Sequence, residues 1–312
     1  MRVAVTGAGG YLGRPIVEAL AGDERVDSVV AIDLRPPDAA PGVEPLKRDV
    51  RELQPADLAD VDVLVHLAAR VLGRGKDAWS VNVDGSRNAF EAALRAGVRD
   101  IVHASSAAAY GCAPDNRAAF TEDSPLRPEP PFYYPQTKVK VEGMLDELEQ
   151  RQPELRVVRM RPISTLGPGA PVRLGGRAWL VLSGYDPLIQ FVWLDDLVDA
   201  FVRAVHTPVS GAFNVGAPNP VRVSEVASLL GARKLRMPHR AVRAAARLPG
   251  GGMHPAWVDM LRYPMVVDTS RAERELGWRA SCDCAGAIRR FRAMLKGDAG
   301  SPAPVTQREA AT

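Results

Sequence analysis

Short apolar runs and amphipathic stretches alternate along the first third of the chain. Apolar runs occur as RVAVTG from residue 2, VDSVVAIDL from residue 26, VDVLVHLAA from residue 61 and RDIVHASSAAAYG from residue 99. Between them, YLGRPIVEALAG and the segment from Trp79 to Ala96 repeat apolar residues at helical spacing. Runs that are apolar throughout are typical of strands buried on both faces. The alternation therefore predicts an α/β fold of the Rossmann type, a doubly wound parallel sheet with helices on both faces.

A second set of patterns completes the predicted elements. LRVVRMRPI predicts a late buried strand, LDDLVDAFVRAV an amphipathic helix, GAFNVG a short strand, and VRVSEVASLLG a strand end leading into a capped helix. The segments 167–190 and 233–263 are rich in Pro, Gly and Arg and lose the strand rhythm. We expect them to belong to a smaller lobe over the edge of the sheet.

These patterns predict two lobes and a tail. Residues 1–168 with 190–217 are expected to form an NAD(P)-binding Rossmann domain, residues 169–189 with 218–296 a smaller C-terminal substrate-binding lobe, and residues 297–312 a disordered tail.

Composition and charge narrow the classes of function. The formal net charge of the 312 residues is only +3, and acidic and basic residues are interspersed, which argues against a nucleic-acid partner. There is no run of eighteen apolar residues and no apolar leader, so no membrane association is expected. Three cysteines are too few for a disulfide framework and five scattered histidines offer no metal site. These features favour a soluble, cytoplasmic protein that acts on a small molecule.

A glycine triplet follows the first predicted strand. Gly7, Gly10 and Gly13 lie where a strand turns into a helix, which allows a tight turn, close approach of a pyrophosphate and close helix packing. No GK[ST] follows, so a kinase-type phosphate loop is excluded. Asp33, twenty residues after Gly13, is placed to accept from the adenine ribose and to repel a 2′-phosphate. NAD is therefore favoured as cofactor, while Arg35 keeps NADP possible.

With these motifs, the sequence resembles the extended short-chain dehydrogenase/reductase family, the NAD-dependent epimerase/dehydratases. The resemblance runs to about residue 295 through TGAGGYLG, HLAA, NVDGSRN, SSAAAYG, YYPQTK, RPISTLGPG, FVWLDDLVDA, FNVG and DTSRAERELGW. Asn82 matches a position on the helix that supports the active site. Local reading and resemblance together give these candidate cofactor-binding residues: Gly7, Gly10, Tyr11, Leu12, Gly13, Asp33, Leu34, Arg35, Asp49, Val50, Leu67, Ala68, Ala69, Asn82, Ala104, Ser105, Tyr134, Lys138, Pro162 and Ile163.

The stretch PFYYPQTKVK carries the candidate acid–base chemistry. Tyr134 and Lys138 are four residues apart and share a helix face, whereas Tyr133 pairs with the uncharged Thr137. A phenol has a pKa of about 10, which a nearby ammonium and a positive nicotinamide are expected to lower. Tyr134 is thus the candidate catalytic acid–base. The resemblance adds that Lys138 holds the nicotinamide ribose and that Ser106 donates to the reacting oxygen.

Departures from the family pattern bear on the reaction. Dehydratases of the family carry an Asp-Glu pair where this chain has Ala107 and Ala108, which disfavours a sugar dehydratase. Nucleotide-sugar epimerases usually carry a diphosphate-binding arginine where this chain has Ile189, and an asparagine that RPISTLGPG lacks. Losing an arginine contact to a diphosphate is costly unless another cation replaces it. Candidate replacements are Arg173, Arg177 and Arg222.

Three functions are consistent with these residues. The leading one is an NAD(P)-dependent oxidoreductase that moves hydride between nicotinamide and a secondary alcohol or ketone of a non-nucleotide substrate. The alternative is a nucleotide-sugar 4-epimerase with tightly bound NAD. The third is a redox-sensing binding protein, although such proteins commonly lose the Tyr/Lys pair that this chain keeps. The resemblance further implies a homodimer through the helix at 79–96 and the helix after Pro135.

Overall fold

The computed structural model describes residues 1–71, 76–116, 119–127, 133–170, 178–247, 258 and 261–297. Its centre is a sheet of seven parallel strands in the order β11-β6-β5-β4-β1-β2-β3. These strands are β1 (Arg2–Thr6), β2 (Ser28–Asp33), β3 (Val43–Lys47), β4 (Val63–His66), β5 (Asp100–Ala104), β6 (Arg156–Pro162) and β11 (Gly211–Val215). The doubly wound parallel sheet predicted from the sequence is confirmed.

Helices cover both faces of this sheet. One apolar core joins β1 and β2 to α1 (Gly13–Ala21) and α5 (Leu194–His206), and it contains Ile16, Leu20, Leu197 and Phe201. The opposite core joins the sheet to α3 (Gly85–Ala96) and α4 (Tyr133–Arg151), and it contains Phe90, Val141 and Leu145. Because β1, β2 and β4 are buried on both faces, their sequences are apolar almost throughout.

The remaining described elements are short and lie outside the main sheet. The strands form two-stranded pairs: β7 (Ser164–Leu166) with β10 (Phe191–Trp193), β8 (Ala178–Leu182) with β13 (Arg233–Met237), and β9 (Leu188–Ile189) with β12 (Val221–Arg222). The helices are α2 (Lys76–Trp79), α6 (Val223–Leu230), α7 (His239–Ala245), α8 (Ser270–Glu275) and α9 (Cys284–Lys296). Residues 298–312 of the expected tail lie outside the described residues.

Several strands correct the sequence-based interpretation, and β7 and β10 are two that no apolar run had predicted. β8, β9 and β13 lie inside the two segments in which no strands were expected. All but the last residue of β13 is exposed, so it carries none of the apolar alternation that marks a half-buried strand. β3 was also missed: it contains Pro45 and lies at the edge of the sheet, where a proline is tolerated.

Among the described residues, no helix combines the length and the apolar character that a membrane crossing requires.

Candidate active site

The candidate site lies where the order of the strands reverses. β1 is flanked by β2 and β3 on one side and by β4, β5 and β6 on the other. In a doubly wound sheet this switch point leaves a crevice outside the carboxyl ends of the strands. A cavity of about 460 Å³ lies here, lined by residues that follow β1, β2, β4, β5 and β6. The topology therefore brings together side chains that are far apart in the sequence.

The turn after β1 depends on glycines at close contacts. Gly7 has a φ of +74°, and a Cβ there would lie 2.7 Å from the Ala68 nitrogen. A Cβ on Gly13 would lie 2.0 Å from the Gly7 carbonyl oxygen, so only glycine lets α1 begin this close to the strand. Gly10, Tyr11, Leu12 and Gly13 line the cavity at the N-terminal end of α1, where the helix dipole carries a partial positive charge. The turn thus forms a cradle for an anion.

Gly9 is a further required glycine, which the spacing argument missed. A Cβ on Gly9 would lie 2.0 Å from the Arg35 carbonyl oxygen. The Gly9 N–H donates to Asp33 Oδ2 at 3.1 Å, and the Arg35 N–H donates to Asp33 Oδ1 at 2.8 Å. The Asp33 carboxylate therefore ties the glycine turn to the end of β2. The sequence shows Gly9 next to Gly10, but it does not show why position 9 must be glycine. The reason is the close Arg35 carbonyl, which belongs to a residue 26 positions later.

The cavity contains most of the predicted cofactor-binding residues. Its lining includes Gly7, Gly10, Tyr11, Leu12, Gly13, Asp33, Leu34, Asp49, Val50, Leu67, Ala68, Ala69, Ala104, Ser105, Tyr134, Lys138, Pro162 and Ile163, as well as Ser106. It also includes residues that sequence reasoning did not select, among them Arg48, Arg51, Arg70, Ser164, Thr165 and Met265. Ser164 and Thr165 lie in β7, within the motif RPISTLGPG, whereas no motif contains Arg48, Arg51, Arg70 or Met265.

Two predicted cofactor-binding residues, Arg35 and Asn82, do not line the cavity. The Arg35 side chain is exposed. Asn82 is buried in a π-helical turn, Ser80–Asp84, between α2 and α3. Its Oδ1 accepts from the Arg70 N–H at 2.7 Å, and its Nδ2 donates to the Arg70 carbonyl at 3.1 Å and to Thr137 Oγ1 at 3.3 Å. Asn82 therefore holds the chain after β4 against α4, so its contact with the site is indirect.

Tyr134, Lys138 and Ser106 meet at one wall of the cavity. α4 begins at Tyr133, which places Tyr134 in its first turn and Lys138 one turn further on. The Lys138 Nζ lies 5.7 Å from the centroid of the Tyr134 ring and donates to the Ala104 carbonyl at 2.5 Å. The Ser106 hydroxyl makes a hydrogen bond with the Tyr134 phenol. Ser106 Oγ also accepts from the Ala108 N–H at 3.1 Å, which leaves its own proton to be donated.

Burial dominates the acid–base properties of this triad. Burial raises the pKa of Tyr134, and the Ser106 hydrogen bond partly opposes this effect. Burial also lowers the pKa of Lys138 to about 8, although the Glu142 carboxylate works in the opposite direction. The expectation that Lys138 lowers the Tyr134 pKa is therefore not met by the chain alone. The physical reason is that the apolar surroundings disfavour both the phenolate and the ammonium.

Two neighbouring polar residues have structural contacts. The Tyr133 hydroxyl donates to the Val71 carbonyl at 2.9 Å. His66 is fully buried, with its Nδ1 2.7 Å from Thr6 Oγ1 and its Nε2 2.9 Å from Ser86 Oγ. Since the Ser86 hydroxyl donates to the Asn82 carbonyl, His66 Nε2 carries the proton. Burial lowers the His66 pKa to about 3, so the ring is neutral. His66 is therefore a core residue that links β4 to β1 and α3.

The positions that depart from the family pattern can be located. Ala107 and Ala108 line the cavity, so two methyl groups stand where dehydratases have a carboxylate pair. Ile189 pairs with Val221 in a short antiparallel ladder. Arg222, one of the proposed replacement cations, donates to the Asp186 carbonyl at 3.0 Å and does not line the cavity. Arg173 and Arg177 lie outside the described residues.

The shape and chemistry of the cavity fit a dinucleotide. The glycine cradle suits a pyrophosphate, Asp33 suits a ribose hydroxyl pair, and the Tyr134–Lys138 wall lies at the ends of β5 and α4, across the switch point. Within the part of the chain that the structure describes, no group of His, Cys, Asp or Glu side chains could hold a metal ion.

The fold and this cavity define a dinucleotide-binding α/β protein with Tyr134 and Lys138 at the cavity wall. Residues 3–216 match the model of the NAD dependent epimerase/dehydratase family. The chain therefore belongs to this family, as its motifs indicated.

Individual relatives carry different activities. A UDP-glucose 4-epimerase of Mycolicibacterium smegmatis is 30% identical over 89% of this chain and 93% of its own length. A Stigmatella aurantiaca enzyme, 4-hydroxy-2-methyl-3-oxo-4-farnesyl-3,4-dihydroquinoline-1-oxide ketoreductase, is 28% identical over 89% of this chain and 92% of its own length. The solved structure of MoeE5 in complex with UDP-glucuronic acid and NAD superimposes with a TM-score of 0.77 at 24% identity, covering 96% of this chain and 100% of that one. The relatives thus include both an epimerase and a ketoreductase.

Proposed function

We propose that this protein is an NAD-dependent oxidoreductase that interconverts a secondary alcohol and a ketone on a small, non-nucleotide substrate. The observation that carries the proposal is the triad at the cavity wall. Tyr134 is hydrogen-bonded to Ser106 and lies one helical turn before Lys138, beside a cradle for a dinucleotide. A redox-sensing binding protein has no use for this arrangement.

Each residue of the triad has a defined part in the proposed reaction. NAD, when bound, supplies the nicotinamide carbon that accepts or returns a hydride. In the oxidation direction, the Tyr134 phenolate takes the proton of the substrate hydroxyl as the carbonyl forms, and Ser106 donates a hydrogen bond to that oxygen. Lys138 holds a positive charge near the phenolate. Because burial alone raises the Tyr134 pKa, the positive charge of the oxidised nicotinamide is needed to bring it down.

The charges around the cavity favour a substrate without a diphosphate. Among the described lining residues, each cation already has a partner in the protein. Arg48 pairs with Asp57 at 2.9 Å, Arg51 with Asp49 at 2.6 Å, and Arg70 with Asp77, while Lys138 binds the Ala104 carbonyl. A diphosphate substrate would have to share one of these cations with its present partner, which weakens the contact. This observation supports the proposed oxidoreductase over the alternative, a nucleotide-sugar 4-epimerase.

The second candidate function, a nucleotide-sugar 4-epimerase, is favoured by the relative with that activity. The two functions differ in the fate of the cofactor. We expect the purified protein to release little NAD on denaturation and to oxidise added NADH in the presence of a ketone from a broad panel. Tightly bound NAD, with no net oxidation of NADH but interconversion of a UDP-sugar pair, would establish the epimerase instead.

Asp33 is expected to set the preference for NAD. In an Asp33→Ala variant, the repulsion of a 2′-phosphate is lost, so the ratio of NADP to NAD affinity should rise by about tenfold or more. The dissociation constants of both nucleotides, measured by calorimetry, check this. Asp38→Ala removes an exposed carboxylate of the same segment that does not line the cavity, and it should leave the ratio unchanged. An unaltered ratio in the Asp33 variant would contradict the assignment.

The proposed assembly is a homodimer through α3 and α4, which stays a prediction from the family resemblance.

A further inference from the structure

A buried ion pair joins α4 to β6 behind the proposed catalytic residues. Glu142 and Arg161 are 3% and 6% exposed. The Arg161 Nη2 lies 2.5 Å from Glu142 Oε2, and its Nε donates to Glu142 Oε1 at 2.9 Å. Two parallel bonds of this kind fix the orientation of both groups as well as their separation. Removing one partner would leave a buried charge uncompensated, so the pair is held firmly.

The same carboxylate reaches the end of β5. Glu142 Oε1 accepts a short hydrogen bond from the Ser105 hydroxyl, and Ser105 lines the cavity directly before Ser106. One turn earlier on α4, Lys138 donates to the carbonyl of Ala104. Two contacts from one helix face therefore hold Ala104 and Ser105 beside the first turn of α4. Ser106 follows these two residues directly, and its hydroxyl bonds to Tyr134.

We propose that Glu142 is a positioning residue of this active site, which holds Ser106 against Tyr134 through Ser105 and keeps Lys138 charged in its buried place. The proposal rests on the proposed role of Tyr134 in proton transfer. Glu142 touches neither the reacting atoms nor the cavity, so it acts through these neighbours.

The charges that surround Glu142 come from several elements. Lys138 lies on α4 itself, and Arg161 on β6 faces the carboxylate directly. Tyr110 and Glu122 lie beyond Arg161: its Nη1 donates to the Tyr110 hydroxyl and to the Glu122 carbonyl, each at 2.9 Å. Burial raises the pKa of both Tyr110, to about 12, and Glu122. Tyr110 is thus a neutral hydrogen-bond partner of Arg161. Glu142 lies one helical turn after Lys138 on α4, and its carboxylate is the anion that supports the Lys138 charge.

Two histidines complete the surroundings of Lys138. His66 on β4 and His103 on β5 stack with their ring centroids 5.5 Å apart. Burial lowers the pKa of His66 to about 3 and that of His103 well below its usual value. Neither ring carries a charge at neutral pH, so neither adds a repulsive positive charge beside Lys138. Without the Glu142 charge, the Lys138 pKa would fall further, and the ammonium would be lost in the range where Tyr134 must ionise.

The test is a titration of Tyr134 that requires no substrate. The tyrosinate absorbance of a protein with NAD bound, minus that of its Tyr134→Phe counterpart, isolates this phenol. We expect the midpoint in Glu142→Gln to lie about one pH unit above that of the wild type, because the positive charge near the phenolate is lost. With an accepted substrate, kcat should fall about tenfold or more while the dissociation constant of NAD stays within about twofold.

A matched control lies on the same two elements. Arg159, two residues before Arg161 on β6, pairs with Asp146 at 2.7 Å and with Glu149 at 2.6 Å on α4. Glu149→Gln neutralises a comparable partner of a buried arginine at a distance from the cavity. Its Tyr134 midpoint and kcat should match those of the wild type.

A second variant, Glu142→Asp, distinguishes the effect of the carboxylate charge from the effect of the hydrogen bond to Ser105. It keeps the carboxylate but shortens it, so the Tyr134 midpoint should stay near that of the wild type while kcat falls through the lost Ser105 contact. A folded, NAD-binding Glu142→Gln protein with an unshifted midpoint would overturn the proposal. If that variant does not fold, wild-type kcat in Glu142→Asp would overturn it. A wild-type midpoint that NAD fails to lower would instead refute the proposed role of Tyr134 itself.

Discussion

Replacement of Tyr134 by phenylalanine is expected to lower kcat by about a thousandfold or more and to leave the dissociation constant of NAD within about twofold. The phenylalanine ring keeps the apolar contact with Ala108 and the position beside the Lys138 ammonium. Only the hydroxyl that bonds to Ser106 and exchanges the substrate proton is lost. Steady-state turnover and calorimetric titration with NAD measure the two quantities separately.

The control for this variant is the neighbouring residue. Tyr133→Phe also deletes one phenol hydroxyl, but that hydroxyl donates to the Val71 carbonyl. We expect this change to cost about 1 kcal/mol in the free energy of unfolding and to leave kcat within a fewfold of the wild type. Turnover in Tyr134→Phe equal to that of Tyr133→Phe would refute the assignment of the catalytic phenol.

Gly13→Val is expected to weaken NAD binding by about a hundredfold or more. The added Cβ would lie 2.0 Å from the Gly7 carbonyl oxygen and 2.7 Å from the Ala8 Cα, and both are backbone atoms that cannot move aside independently. The start of α1 must therefore shift away from the turn, and the N–H groups that would face the pyrophosphate shift with it. Calorimetric titration with NAD gives the loss of affinity, and circular dichroism shows whether the sheet is retained.

Two glycine variants calibrate this result. Gly10→Ala adds a carbon only 3.1 Å from the Gly7 carbonyl oxygen, so an intermediate loss of NAD affinity is expected. Gly143 lies within α4 with nothing inside 4 Å of its added Cβ. Gly143→Ala should therefore stabilise the fold by about 0.5–1 kcal/mol and leave NAD binding unchanged. Equal NAD affinity in Gly13→Val and Gly143→Ala would contradict the cradle.

The main sheet was predictable because its strands are apolar on both faces. RVAVT, SVVAID and VLVH need no partner information to be recognised as buried strands. β3 and β13 were not predictable, because one contains a proline at a sheet edge and the other, RKLRM, is almost wholly exposed. Such strands are defined by the neighbour they pair with, which is β2 for β3 and, for β13, the distant β8.

The candidate site likewise has features that the sequence predicts and features that only the folded structure shows. The spacing of Gly7, Gly10 and Gly13 and the four-residue step from Tyr134 to Lys138 carry their own geometry. The Gly9 constraint and the Glu142–Arg161 pair arise only when β2, β5, β6 and α4 are brought together. The Tyr134 pKa was judged in the wrong direction for the chain alone, since a sequence shows the nearby cation but not the depth of burial.

The most direct test of the central claim follows the hydride itself. NADH carrying deuterium at the transferable position of C4 is supplied with a ketone that the protein accepts, and the product is examined by mass spectrometry. The account predicts one deuterium on the new carbinol carbon in the wild type and no labelled product in Tyr134→Phe. An alcohol product without deuterium, or the same labelled yield from both proteins, would contradict it.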